Sequence, residues 1–301
     1  MQTLESMRKR IRSAEELQSV VKAMKALAAV SIRQYEKAVE SLSQYNRTIE
    51  LAFQVVLAEG ADELQSTREA QAVNLGAVIF GSQQGLSGQF NSQIASYAVG
   101  EMERLEIDPP RRRVTALGDR VVPELEEAGI AVQRRLPLPW SVAGIASEVH
   151  RTIIEMDRWR SNEDIGRIIL FYHEQMSGAT YRPRTVYLFP LDPEWFARWE
   201  KKGWPSRTLP TFTIEKTAIL SSLVRQHLFV TLYRAFAESL AAENASRLSS
   251  MQSAEKNIED RLGELSIQYQ QLRQSSITSE ILDIVSGFEA LRETVNPRDQ
   301  P

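Results

Sequence analysis

The stretch Leu4-ESMRKRIRSAEELQSVVKAMKALAAVSIRQYEKAVES-Leu42 contains neither glycine nor proline. Its apolar or small residues Leu4, Met7, Ile11, Ala14, Leu17, Val21, Met24, Ala28, Ile32, Tyr35, Val39 and Leu42 follow one another almost entirely in steps of three and four. That spacing makes a helix seam. Ile49, Phe53 and Val56 continue it, so residues 1–59 read as one helix of roughly 85–90 Å at 1.5 Å per residue. A helix so long with so narrow an apolar stripe needs a partner along its length.

A second seam lies at the other end of the chain, through Met251, Ala254, Ile258, Leu262, Leu265, Tyr269 and Leu272, followed by Ile277, Ile281, Ile284, Phe288 and Leu291. Between Leu272 and Ile277 the step is five, which predicts a register shift, and there Gln274, Ser275, Ser276 and Thr278 make the surface polar. Residues 211–296 contain no proline and only Gly263 and Gly287, each expected to bend the helix or end it early. Unbroken, the segment would reach roughly 125 Å. Two such seams invite pairing with each other, antiparallel if the middle of the chain returns to its start.

The middle carries the breakers: ten of the 12 prolines lie between Pro109 and Pro210, and eleven of the 14 glycines between Gly76 and Gly203. Short apolar runs alternate there with amphipathic stretches. Strands are expected at 73–80, 114–117, 130–136, 167–173 and 185–191, and helices at 90–105, 120–128 and 142–159. Alternation of this kind favours a parallel, doubly wound sheet. The fold class is therefore an α/β domain, Rossmann-like, inserted between paired N- and C-terminal helices of a long antiparallel coiled coil. The domains are 1–59, 60–210 and 211–296, with a tail at 297–301.

A net charge of −3 gives no electrostatic reason to expect nucleic acid. The absence of cysteine excludes disulfides, thiolate zinc sites, iron–sulfur clusters and thiol catalysis. No apolar run reaches the length of a membrane span, and the N-terminus lacks a secretory h-region or an Arg- and Ser-rich presequence. Membrane association is expected only through partners.

The loop Gly81-SQQGLS-Gly88 stands where a phosphate loop would, between a strand and a helix, yet it matches neither G-x-G-x-x-G nor G-x-x-x-x-G-K-[ST]. It reads more simply as a tight turn. His150, His173 and His227 show no metal or acid/base spacing, so no metal, cofactor or catalytic residue is expected. Trp195, Trp199 and Trp204 are either a buried helix face or an aromatic docking patch. Arg111, Arg112 and Arg113 form a basic turn. Arg8, Lys9, Arg10 and Arg12 face either water or an acidic partner. On these residues alone, a coiled-coil scaffold and a nucleotide-binding α/β enzyme using the Gly81–Gly88 loop both remain open.

Arg8 to Ser13 (RKRIRS), Lys22 to Ala29 (KAMKALAA), the spaced set Glu243, Ala245, Arg247, Met251, Ala254 and Asn257, and above all Arg273 to Gly287 (RQSSITSEILDIVSG) resemble the gamma subunits of F-type ATP synthases. Within the last stretch Ile277, Thr278, Glu280, Asp283 and Gly287 carry the signature. Departures occur at Glu16 to Val21, in the loop at Gln83, Gln84, Ser87 and Gln89, and at Phe288, marking a divergent branch of bacterial type. The resemblance implies a non-catalytic central rotor that couples rotation of a membrane ion-carrying ring of c subunits to ATP synthesis or hydrolysis. Its partners would be the alpha and beta subunits of the catalytic hexamer and the epsilon subunit. Its place would be the cytoplasmic face of the bacterial cell membrane. By the same resemblance, Arg247, Gln274, Thr278 and Glu280 would meet loops of the catalytic subunits, while Met24, Ile281, Ile284 and Phe288 would pack the shaft and its tip.

Overall fold

In the computed structural model, the structure describes residues 3–58, 74–176, 180–191, 204, 208 and 210–295. Helix α1 spans Leu4–Ala58 and helix α5 spans Lys216–Val295. Between them lie β1 (Asn74–Phe80), α2 (Phe90–Arg104), β2 (Arg112–Leu117), α3 (Val122–Glu127), β3 (Arg134–Leu136), α4 (Ile145–Asn162), β4 (Ile165–Gln175) and β5 (Tyr181–Phe189). The chain forms two compact units, Met1–Lys25 with Met251–Pro301, and Ala26–Ser250. The boundaries of these units fall inside the long helices rather than at their ends.

The first unit is an antiparallel helix pair. Arg8 Nε donates to Tyr269 Oη at 2.7 Å, Gln18 Nε2 donates to Glu259 Oε1 at 3.3 Å, and Lys25 pairs with Glu255. Met7, Val21, Met251 and Leu265 are buried in the seam, and Ile11, Ala14, Met24, Ala254, Ile258, Leu262, Tyr269 and Leu272 are half-buried along it. Two expected seam residues are displaced. Leu17 is 54% exposed, and Gln18 takes its place because the seven-residue step from Ala14 to Val21 divides as four and three opposite Glu259. Ser276, four residues after Leu272, is half-buried where Ile277 was expected.

The second unit holds a five-stranded sheet in the order β3-β2-β1-β4-β5. β1 pairs in parallel with both β2 and β4, and β2 with β3. The edge strand β5 runs antiparallel to β4, which corrects the all-parallel expectation. Residues 176–180 that join them are too few for a crossover helix, and two strands so joined must form a hairpin. Because both faces of the sheet are covered, β1 is buried without alternation from Leu75 onward. Leu75, Ala77 and Ile79 pack with Ile94, Ala98 and Met102 of α2 and Leu125 of α3. Val78 and Phe80 turn to the other face, against Val149 and Trp159 of α4, Phe236 and Leu240 of α5, and Tyr35 of α1. Gly76 is required there: a Cβ would lie 2.5 Å from the Trp159 ring.

The other differences are local. β3 is shorter than expected because Ile130 is used to close α3, its amide donating to Leu125 O at 2.8 Å. α5 starts at Lys216 rather than 211; Phe212 instead packs into a cluster with Ile49, Phe53 and Val230. Neither Gly263 nor Gly287 ends α5, and a Cβ at either would meet open space.

Candidate functional site

Apart from Met24 on α1, the residues singled out from the sequence lie on two stretches of α5, one in each unit. In the first unit the antiparallel pairing places the first turn of α1, at Leu4, opposite residues near 273. α5 continues to Val295 beyond that point with no opposing described residue of this chain. Every residue from Ile277 to Leu291 is exposed, including Ile277, Ile281, Leu282, Ile284, Val285, Phe288 and Leu291. Ile284 is 72% and Phe288 71% exposed. A contiguous apolar surface of this kind marks an interaction site.

At the root of that stretch Thr278 Oγ1 donates back to Gln274 O at 2.9 Å, a local bond that leaves the Gln274 amide group free. Gln274, Thr278 and Glu280 are all exposed, and neither the Gln274 side chain nor the Glu280 carboxylate pairs with another described residue. Asp283 and Gly287 lie on the same exposed length. Met24, on α1, is half-buried in the helix pair.

Arg247 does not join this group. It is buried in the second unit, where Nη2 donates to Glu243 Oε1 at 2.5 Å and Nη1 to Asn244 Oδ1 at 3.1 Å. Burial pushes the Glu243 carboxyl upward, while Arg247 and the Gln84 backbone amide pull it down toward the ionised form. Burial also raises the Tyr35 hydroxyl, with the Glu243 charge adding to the effect. α1, the 81–91 loop and α5 therefore meet around one buried ion pair.

The loop itself is closed by its own groups. Asn91 Oδ1 accepts from the Ser82 amide at 2.9 Å, and Asn91 Nδ2 donates to Ser82 Oγ at 2.9 Å. Ser82 Oγ donates to Gln84 O at 2.9 Å, and Arg120 N donates to Ser82 O at 3.1 Å. Gln83 bridges outward, donating to Asp119 Oδ2 at 2.6 Å and accepting from Leu138 N at 3.1 Å. Ser246 Oγ of α5 donates to Ser87 O at 2.6 Å. Gly88 adopts φ +56°, and a Cβ there would lie 2.8 Å from Ser250 Oγ. A phosphate approaching the loop would find the Ser82 amide taken and the Glu243 carboxylate behind it. The nucleotide-site alternative is thereby removed: this is a turn built against α5.

Among the described residues no group of three or more His, Asp or Glu side chains could hold a metal ion. His173 is buried and His227 half-buried, and desolvation pulls both down to about 4. His173 Nε2 lies 2.9 Å from Phe90 O. His150 sits on the surface with Nδ1 2.7 Å from Ala146 O. Trp204 Nε1 donates to Thr208 O at 2.9 Å, whereas Trp195 and Trp199 lie outside the described residues. Sequence reasoning missed the Tyr172–Glu238–Arg234 chain, with hydrogen bonds of 2.9 and 2.6 Å, and the inward turn of Arg247. The four-residue spacing of Arg234/Glu238 and Glu243/Arg247 was the available signal, but the same spacing occurs on any solvated helix.

A family model described as ATP synthase matches residues 3–291. The ATP synthase gamma chain of Rhizobium johnstonii is 28% identical over 97% of this chain and 100% of its own length. That of Brucella anthropi is 29% identical, with the same coverage. The fold is also that of a chain in the Euglena gracilis mitochondrial ATP synthase OSCP/F1/c-ring structure, with a TM-score of 0.68, 16% identity, and 99% and 98% of the two chains covered. A chain of the Tetrahymena thermophila mitochondrial ATP synthase central stalk/c-ring structure superposes with a TM-score of 0.53 at 17% identity, over 78% of this chain and 99% of that one. With a match that runs from the first turn of α1 to the exposed end of α5, the chain belongs to the ATP synthase gamma-chain family.

Proposed function

We propose that this chain is the non-catalytic central rotor of an F-type ATP synthase. Its shaft would turn inside the hexamer of alpha and beta subunits, and its sheet domain would meet the epsilon subunit and the membrane ring of c subunits. The observation that carries the reading is the exposed apolar length of α5 from Ile277 to Phe288, over which no described residue of this chain is packed. A surrounding sleeve would remove that surface from water, at about 1.5–3 kcal/mol for each large side chain fully buried. Apolar contact is also non-directional, so it resists rotation less than a ring of fixed hydrogen bonds would.

Gln274, Thr278 and Glu280 supply the directional part. They are polar and exposed at the base of the apolar tip, Thr278 bonded only within its own helix turn, and they would engage loops of the catalytic subunits differently in each orientation. Coupling then follows from differential binding: each orientation of the shaft stabilises a different conformation of each catalytic site. No helix among the described residues is long and apolar enough to cross a membrane. Together with the bacterial relatives, this supports a peripheral position on the cytoplasmic face of the cell membrane, reached through the complex.

The test is Gln274→Leu combined with Thr278→Val in the assembled complex. Coupled ATPase turnover is expected to fall several-fold while the isolated chain melts as the parent does; unchanged turnover removes these residues from the contact.

A further inference from the structure

From Ala235 to Arg247 every residue of α5 is buried, the polar and charged Glu238, Ser239, Glu243, Asn244, Ser246 and Arg247 included. On the side of the 81–91 loop these groups form a set of teeth. Ser246 Oγ reaches Ser87 O at 2.6 Å and also lies 2.9 Å from Tyr181 Oη on β5. One turn further on, Ser250 Oγ stands where a side chain at residue 88 would have to be, so the loop backbone rests directly on the helix. One turn back, Glu243 turns its carboxylate toward the Gln84 amide. Arg247 is held between Glu243 and Asn244, and its Nε has no hydrogen-bond partner among the described residues.

A buried ion pair with a guanidinium nitrogen left unsatisfied is a poor device for stability, since desolvation offsets much of the attraction. It is a good device for fixing where a carboxylate points. A side chain with 8% of its surface exposed, enclosed by its own chain, is also poorly placed to reach a loop of another subunit.

We propose that Arg247 is a positioning residue rather than a partner contact: it holds Glu243 against the 81–91 loop, and the resulting clamp is where twist passes between the sheet and α5. The second clause rests on the rotor reading; the first stands on this chain alone. Gly88 is the backbone element of the same clamp: glycine adopts φ +56° without strain, and a Cβ there would crowd Ser250 Oγ at 2.8 Å. The Ser246 hydroxyl is its second, uncharged tooth.

A double-mutant cycle decides the matter. Arg247→Met, Glu243→Gln and the pair are compared in two measurements: hydrogen exchange of the residue 82–91 amides in the isolated full chain, and coupled ATP synthesis by the complete complex in vesicles. If Arg247 acts through Glu243, each single variant speeds loop exchange and lowers coupled synthesis several-fold. The double variant is then no worse than the more damaging single one. Losses that multiply in the double variant, with loop exchange unchanged, would overturn the assignment and return Arg247 to an outward contact. Faster loop exchange with full coupling in all three would overturn the claim that the clamp carries load. Ser246→Ala guards against variants that fail to fold: it removes one hydroxyl only, and it too must speed exchange across 82–91, or the clamp is refuted. Failure of the parent chain to assemble with catalytic subunits would count against the rotor reading, while the exchange measurement would still decide the role of Arg247.

Discussion

Two lengths of the same helix reverse the usual relation between polarity and burial. Residues 235–247 of α5 are buried on every side although they include two glutamates, an asparagine, two serines and an arginine. Residues 277–291 are exposed on every side although they include three isoleucines, two leucines, a valine and a phenylalanine. The first length is Ala- and Ser-rich, so other elements can approach its backbone closely, and its charged groups find partners within the chain. The second, from Ile277 to Phe288, has no described element packed over it, because the pairing with α1 ends near residue 273. Burial within a single chain therefore reports which contacts that chain completes, and an apolar length left in water reports a contact that another chain must complete.

The largest test of the contrast compares the two phenylalanines on α5. Phe236, fully buried against Phe80 with ring centroids 4.9 Å apart, is expected to cost about 3–5 kcal/mol when changed to alanine. Phe288→Ala is expected to change the stability of the isolated chain by no more than about 0.5 kcal/mol, because most of the side chain is already in water. Urea melts of both variants give the comparison, and a similar loss at the two sites would break it.

Acidification should separate the units next. The two desolvated histidines, His173 and His227, lie in the second unit, and the first unit has no histidine. Their folded values of about 4 lie below the ordinary 6.5, so the native state holds them neutral while the unfolded chain takes up protons. Stability from this source is present above about pH 6.5 and is lost as pH falls toward 4, amounting to about 2 kcal/mol for each histidine by pH 5. Glu243 acts with the opposite sign: its raised value stabilises the native state on the acid side and loses that contribution as pH rises through it. Hydrogen exchange at pH 7 and pH 5 should show protection falling in β4 and in the 220–247 part of α5, and replacing His173 with a neutral isostere should flatten the response.

The smallest effect concerns the two glycines of α5. Gly263→Ala should raise stability by roughly 1 kcal/mol, since alanine is the better helix former and nothing lies within 4 Å of the added Cβ. Gly287→Ala should do the same for the isolated chain. If it nevertheless weakens the assembled complex, the open space seen here at residue 287 is space a partner uses.

The long helices, the antiparallel pairing and the inserted sheet domain were legible in the sequence because a 3.6-residue period and the placement of prolines and glycines are written locally. Leu17 and Gln18 show the limit: adjacent residues at the edge of a seam differ by one register choice, and the opposing helix makes that choice. The antiparallel β5 was hidden because a strand does not encode its direction, although the short connection after Gln175 implied it. At the candidate site, Gln274, Thr278 and Glu280 could be named from their signature, and the structure leaves them accessible. Arg247 could not be understood that way, because the same residue in the same helical spacing can face either a neighbouring loop of its own chain or another subunit.

The central claim, that residues 277–291 form a surface covered by the catalytic subunits, has a direct test because the chain contains no cysteine. Ile284→Cys supplies a single thiol at the most exposed apolar position of the tip. Its rate of maleimide labelling should be that of a free thiol in the isolated chain and should drop by an order of magnitude or more once the chain is assembled with alpha and beta subunits. Equal rates before and after assembly would contradict the account.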